Sequence, residues 1–158
     1  MGDPLVKENL GAGNVVRSPL RVLGIEDDEN DLELLRRAFR ACPGVQLDLV
    51  HHGREAVEHI NAQTEQNCWP DLILCDLKMP VMNGFEFLKW LKKDSPCPLT
   101  LLVVLTSSVV ETDVADAYEL GAAAYLVKPS SHMELQGLAK VLADFWKLVN
   151  TAPLRRRK

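Results

Sequence analysis

Pro70-Asp71-Leu72-Ile73-Leu74-Cys75-Asp76-Leu77-Lys78-Met79-Pro80 holds a four-residue apolar run that stops at a carboxylate and turns at once. A run so short and so apolar reads as a strand buried on both faces, the kind found in the middle of a parallel sheet. The acid that closes it, Asp76, then stands at the rim of the sheet, held rigidly yet open to a ligand. Taken alone, an Asp that ends a strand and starts a turn is common. The flanking chain decides between the two.

Working outward, β-rich runs appear at Leu20–Ile25, Val45–Val50, Leu72–Cys75, residues 99–105 and Ala124–Val127. Helical apolar spacing lies between and after them: Leu32, Leu35 and Phe39; then residues 54–61 with Ala56, Val57 and Ile60; then Phe85, Leu88 and Leu91; then residues 110–120; and finally Leu135, Leu138, Leu142, Phe145 and Val149. Asn30 with Glu33, Asn83 with Glu86, Ser108 with Glu111 and Ser131 with Glu134 each have capping-box spacing, and Gly121 is placed to end the fourth helix in a left-handed cap. A five-fold (βα) repeat with fully apolar strands predicts an α/β fold: a five-stranded parallel sheet covered on both faces, flavodoxin-like, in the order 2-1-3-4-5. Residues 1–18 read as a loose N-terminal arm, 19–150 as one domain and 151–158 as a basic tail.

In such a sheet, ligands bind outside the carboxyl ends of the strands, at the switch point between strands 1 and 3. Strand 1 ends in Glu26-Asp27-Asp28, strand 3 in Asp76, strand 4 in Leu105-Thr106-Ser107 and strand 5 in Val127-Lys128-Pro129. Acids, a hydroxyl and an amine therefore fall at one edge. Two carboxylates about 4 Å apart repel by roughly 4 kcal/mol at an effective dielectric near 20. Glu26, Asp27 and Asp76 together are costly for a domain with a total stability of about 5–15 kcal/mol. A divalent cation with oxygen ligands removes that cost, and an incomplete carboxylate set suits Mg²⁺, which shares its coordination with water and phosphate oxygens. With Lys128 adding a further positive charge, the site is balanced to receive a phosphoryl group. Asp76 is then the candidate nucleophile, with Lys128 and the Thr106 hydroxyl neutralising the transferring oxygens.

The constellation resembles the receiver domain of two-component response regulators over about residues 20–150. The resemblance is carried by Ile25-Glu26-Asp27-Asp28-Glu29-Asn30-Asp31, residues 70–84, Leu105-Thr106-Ser107 and Gly121-Ala122-Ala123-Ala124-Tyr125-Leu126-Val127-Lys128-Pro129. It implies phosphorylation of Asp76 by a sensor histidine kinase or a phosphotransfer protein, and Mg²⁺ held by Glu26, Asp27, Asp76 and the backbone carbonyl of Lys78. It also implies Thr106 and Tyr125 as a switch pair, and a cis Lys128–Pro129 peptide. Glu26 replaces the Asp often found there, and Lys78 puts a cation two residues after the acceptor. The Phe145-Trp146 pair ahead of Thr151-Ala152-Pro153 resembles stand-alone regulators paired with phytochrome-type kinases; an exposed Trp146 would serve as a homodimer anchor.

Composition narrows the rest. The chain has 158 residues, 47% hydrophobic and 25% charged, with net charge −4, which disfavours a nucleic-acid binder despite Arg155-Arg156-Arg157-Lys158. No apolar stretch is long enough for a bilayer, and residues 1–18 lack a leader pattern. Cys42, Cys68, Cys75 and Cys97 have no metal spacing, so a reduced, cytoplasmic protein is expected. His51, His52, His59 and His132 are assigned no role. With no DNA-binding or catalytic domain after the last helix, the expected output is a phosphorylation-dependent protein–protein contact, and the protein is not an enzyme. Two alternatives stand beside this: a Mg²⁺-dependent aspartyl-phosphate phosphohydrolase, and a phosphorylation-independent binding module of receiver type. The hydrolase usually has a second acid where Lys78 stands and needs a cap domain for which there is no spare length. An intact acid, hydroxyl and lysine set weighs against the bare binding module.

Overall fold

Alternate residues of the central strand enter two different cores, and that split organises the fold. The computed structural model describes residues 19–66, 68–97 and 100–148. Within them the chain runs β1 (Leu20–Ile25), α1 (Glu29–Arg40), β2 (Val45–Val50), α2 (Gly53–Ala62), β3 (Leu72–Cys75), α3 (Gly84–Lys93), β4 (Leu101–Thr106), α4 (Glu111–Glu119), β5 (Ala124–Val127) and α5 (His132–Leu148). All pairings are parallel and the strand order is β2-β1-β3-β4-β5, as expected. Ile73 and Cys75 of β3 join Leu23, Ile25, Leu102 and Val104 in a core that includes Ala56, Ile60 and Phe87 of α2 and α3. Leu72 and Leu74 join Val22, Val103 and Leu105 in the opposite core, with Leu35 and Phe39 of α1 and Ala139 of α5. Each Val, Leu, Ile or Phe among them contributes about 1.5–3 kcal/mol on burial, so both cores together pin the strand ends in place.

The strand limits match the expected ones except at β4, which begins at Leu101; residue 99 lies outside the described residues. The expected arm 1–18 and tail 151–158 also lie outside them. Capping differs more. Asn83 and Glu86 form the full reciprocal box, and Glu134 N–H donates to Ser131. At α1, however, the cap is Asp28, whose Oδ1 accepts from the Asn30 and Asp31 amides, while Glu33 turns to Arg36 and Arg37. The short Asp side chain already satisfies the orphan amides from two residues earlier, which leaves Asn30 inside the helix. Ser108 stands two residues ahead of the α4 N-cap, Val110, and its hydroxyl bonds Asp113. His52, given no role from sequence, caps α2 by accepting from the Glu55 amide.

Gly121 ends α4 as expected, with φ +100°. Its N–H donates to the Tyr118 carbonyl and the Ala122 N–H to that of Ala117, the two bonds of a Schellman cap. The Lys128–Pro129 peptide is trans, against the cis bond the resemblance implied. The two isomers of an X–Pro bond lie within about 1 kcal/mol, so the sequence alone selects neither. Trp146 is not the exposed anchor: it is half-buried beside Leu138 and Leu142 against the α1–α5 core, and its neighbour Phe145 is the exposed ring, at 49%. The four-residue spacing of Leu138, Leu142 and Trp146 puts the indole on the packed face of α5, one residue round from Phe145.

Candidate functional site

β1 and β3 are adjacent and in register from Val22–Leu72 to Ile25–Cys75, so their C-terminal residues emerge side by side. Past the carboxyl ends one further bond extends each pairing of β1, Asp76 N–H to the Ile25 carbonyl beside β3 and Glu26 N–H to that of Val50 beside β2, both 3.0 Å. Backbone pairing therefore sets the positions of Glu26 and Asp76 before any side chain acts. Glu26, Asp27 and Asp76 each offer a carboxylate oxygen within 4.8 Å of the others. Glu26 is 2% exposed and Asp76 7%, while Asp27 faces solvent.

Lys128, just past β5, reaches over this group. Its Nζ lies 2.6 Å from Glu26 Oε2, 3.0 Å from Asp76 Oδ2 and 2.7 Å from Asp31 Oδ2. The other oxygen of Asp76 accepts from the Leu77 N–H at 2.7 Å, so the carboxylate is held at both ends. Burial pushes the Glu26 carboxyl up to about 7, although Lys128 and the Asp28 amide draw it down. Burial also works against the Lys128 ammonium, but Asp31, Glu26 and Asp76 override it and hold that pKa above the usual lysine range. Behind the site, burial raises the Cys75 thiol far above its ordinary value, with Asp76 and Glu26 adding to it, so this cysteine is an inert packing group.

Three converging carboxylates, two buried and one facing solvent, are a donor set suited to a hard divalent cation entering from the Asp27 side. Asp27 and Lys78 also line an open groove of about 480 Å³ with Met79, Pro80, Asn83 and Phe85.

Thr106 is fully buried at the end of β4, and its Oγ1 lies 3.4 Å from the Ser108 N–H. Tyr125 of β5 is half-buried, and its hydroxyl donates to the Ser108 carbonyl at 3.1 Å. The two expected switch residues thus meet through Ser108, whose own hydroxyl donates to Asp113 of α4 at 2.6 Å.

Glu26, Asp27, Asp76, Thr106 and Lys128 lie at this edge of the sheet, with Lys78 on the loop after β3 and Tyr125 inside β5, its hydroxyl reaching Ser108. Two contributors were not foreseen. Asp31 sits on the first turn of α1, and the signal for it was the acid run Glu26 to Asp31, in which five of six residues are acidic. Ser108 was read as a helix cap, and nothing in its local sequence distinguishes that from a bridge between strands. The histidines stay outside: His51 bridges Glu29 and Glu55, and His59 lies 3.4 Å from Asp48.

Comparison with known proteins gives a consistent set. The family model described as response regulator receiver domain matches residues 22–140. A phosphorylated cyanobacterial phytochrome response regulator, RcpA, superposes with TM-score 0.76 at 29% identity, covering 85% of this chain and 99% of that one. The Mn²⁺-bound form of response regulator Rcp1 gives TM-score 0.71 at 30% identity, with 85% and 99% covered. In sequence, the chain is 26% identical over 148 residues to a probable methanogenesis regulatory protein, FilR2, of Methanothrix harundinacea, covering 91% of this chain and 96% of that protein. Other curated relatives, methylesterases and transcriptional regulators, are much longer, and the chain spans only 26–36% of their length. Among the described residues no helix is long and apolar enough to cross a membrane.

Proposed function

The chain belongs to the response regulator receiver family of two-component signalling, and on that premise we propose that Asp76 is its phosphoacceptor. The observation that carries the proposal is the pairing of the buried Asp76 carboxylate with Lys128 inside an acidic set that fits a divalent cation. Glu26, Asp27 and Asp76, with the Lys78 backbone carbonyl, would hold Mg²⁺. When bound, the ion supplies positive charge to the transferring oxygens and offsets the repulsion among the acids.

The protein's own groups do the rest. An Asp76 carboxylate oxygen attacks phosphorus of a phosphohistidine. The P–N bond breaks, and the imidazole nitrogen keeps its electron pair and takes up a proton. Lys128 neutralises charge on the phosphoryl oxygens, and the Thr106 hydroxyl donates to one of them. Rearrangement of Thr106 is felt at Tyr125 and α4 through Ser108, which makes the α4–β5–α5 side the output surface.

The donor is a sensor histidine kinase or a phosphotransfer protein. Similarity to RcpA, a cyanobacterial phytochrome response regulator, favours a phytochrome-type kinase, and the free cysteines Cys42, Cys68, Cys75 and Cys97 fit a reduced, cytoplasmic setting. Residues 19–150 form the receiver unit, with 1–18 and 151–158 as its extensions. Homodimerisation through α5 belongs to the same reading, supported by exposed Met133, Val141 and Phe145 along one line of the helix. Sedimentation equilibrium showing a monomer at high concentration, phosphorylated or not, excludes the dimer.

The principal test is incubation with Mg²⁺ and acetyl phosphate followed by intact mass measurement. Wild type gains one phosphoryl group and Asp76→Asn gains none. No gain in wild type with any small donor or kinase refutes the assignment.

A further inference from the structure

Lys128 has three N–H donors, and three carboxylates from three different elements receive them: Glu26 at the end of β1, Asp76 at the end of β3, and Asp31 on the first turn of α1. The first two belong to the acidic set suited to a cation and to the phosphoryl-accepting group itself. Their oxygens are therefore turned to other partners once the site is loaded. Asp31 lies outside that set. It is the one partner of Lys128 that the proposed chemistry leaves in place.

Its own position is well fixed. The Asp31 amide donates to the Asp28 side chain at 3.0 Å and the Leu32 amide to the Asp28 carbonyl at 2.9 Å, and the Asp28 amide in turn donates to Glu26 Oε1 at 3.0 Å, so the first turn of α1 is tied through its cap to Glu26. One turn later Leu35 enters the α1–α5 core. By contrast, Lys128 ends a flexible four-carbon stem, free to swing to solvent if nothing holds its head.

Resting on the phosphoacceptor reading above, we propose that Asp31 is a positioning residue for phosphoryl acceptance: it anchors the Lys128 ammonium beside Asp76 while Glu26 and Asp76 engage other groups. It acts through Lys128 and touches no reacting atom.

The test uses the full chain with two readouts. In the first, phosphoryl incorporation from acetyl phosphate is timed in Mg²⁺. Asp31→Ala slows it by about fivefold or more, Asp31→Glu restores it to within about twofold, and Asp31→Ala has no further effect in a Lys128→Met background, because the two residues form one coupled pair. The second readout needs no phosphorylation. In Mg²⁺-loaded protein, brief acetic anhydride treatment and peptide mass spectrometry measure acylation of Lys128 against the exposed Lys89; Asp31→Ala raises that ratio by about threefold or more as the amine is released. Unchanged Lys128 labelling in a folded Asp31→Ala protein overturns the proposal, as does an equal loss of rate in the Lys128→Met background. If wild type accepts no phosphoryl group, the Asp76 assignment fails, and the labelling ratio still decides whether Asp31 holds Lys128.

Discussion

Glu26 makes the stability of the metal-free protein fall as pH rises. Its carboxyl ordinarily titrates near 4.5 and is pushed up to about 7 in the fold by burial. Between those values the native state holds a proton that the unfolded state has released, so unfolding free energy decreases with increasing pH across that window. A separation of about 2.5 pH units at about 1.4 kcal/mol each amounts to about 3.5 kcal/mol, a large part of the 5–15 kcal/mol typical of a whole domain. His51 acts in the same direction at slightly higher pH: its pKa is raised by Glu55 and Glu29, so its contribution is present below its ordinary value of 6.5 and is lost above the raised one. Glu33 and Glu55, whose pKa values are lowered, act oppositely and only as pH falls below the ordinary carboxylate range.

Urea unfolding from pH 5 to pH 8 in a chelator measures the slope, with Glu26→Gln removing the main part of it and His51→Gln the remainder. Saturating Mg²⁺ flattens the slope, because a bound cation and a proton compete for Glu26, and Mg²⁺ affinity weakens below pH 7 for the same reason. A wild-type midpoint that does not move between pH 5 and pH 8 without metal, or an equal slope in Glu26→Gln, refutes the reasoning.

Val81 follows Pro80 in the β3–α3 loop with φ +66° and 75% exposure, a left-handed conformation that strains a β-branched residue. Val81→Asn relieves roughly 1 kcal/mol and raises the thermal midpoint by about 2–4 °C in calorimetry; no rise means the strain is not present in solution. At Gly84 an added Cβ would lie 2.4 Å from the Asp76 carbonyl oxygen and 2.8 Å from Leu77 Cα, so Gly84→Ala forces backbone apart under the acidic site. It should lower the midpoint by about 4–8 °C, corresponding to about 2 kcal/mol, and weaken Mg²⁺ binding measured by titration calorimetry. Ser108→Ala removes the bond to Asp113 and the acceptor near the Val110 N–H, at a cost of about 1–2 kcal/mol, and hydrogen exchange should quicken in α4 while α1 is unchanged.

The sheet was legible because β3 is apolar at all four positions and each neighbouring strand ends in a chemically distinctive residue. The capping of α3 was legible because Asn83 and Glu86 satisfy each other locally. The capping of α1 was not, because acids crowd Glu26 to Asp31 and several of them could fill the cap. Ser108 and Trp146 were ambiguous for another reason. A serine before a helix looks the same whether it caps or bridges, and an aromatic pair on a helix does not announce which ring packs.

Sequence by itself determined the order of elements, the two-faced burial of β3 and the placement of Glu26, Asp27, Asp76, Thr106 and Lys128 at the strands' carboxyl ends, since these follow from local periodicity and from where each apolar run stops. Only the tertiary structure decided that Asp31 shares the Lys128 ammonium across 97 residues of chain and that Phe145 rather than Trp146 is exposed. Those outcomes depend on how α1 and α5 pack on one face of the sheet, and packing between distant segments has no period along the chain from which to read it.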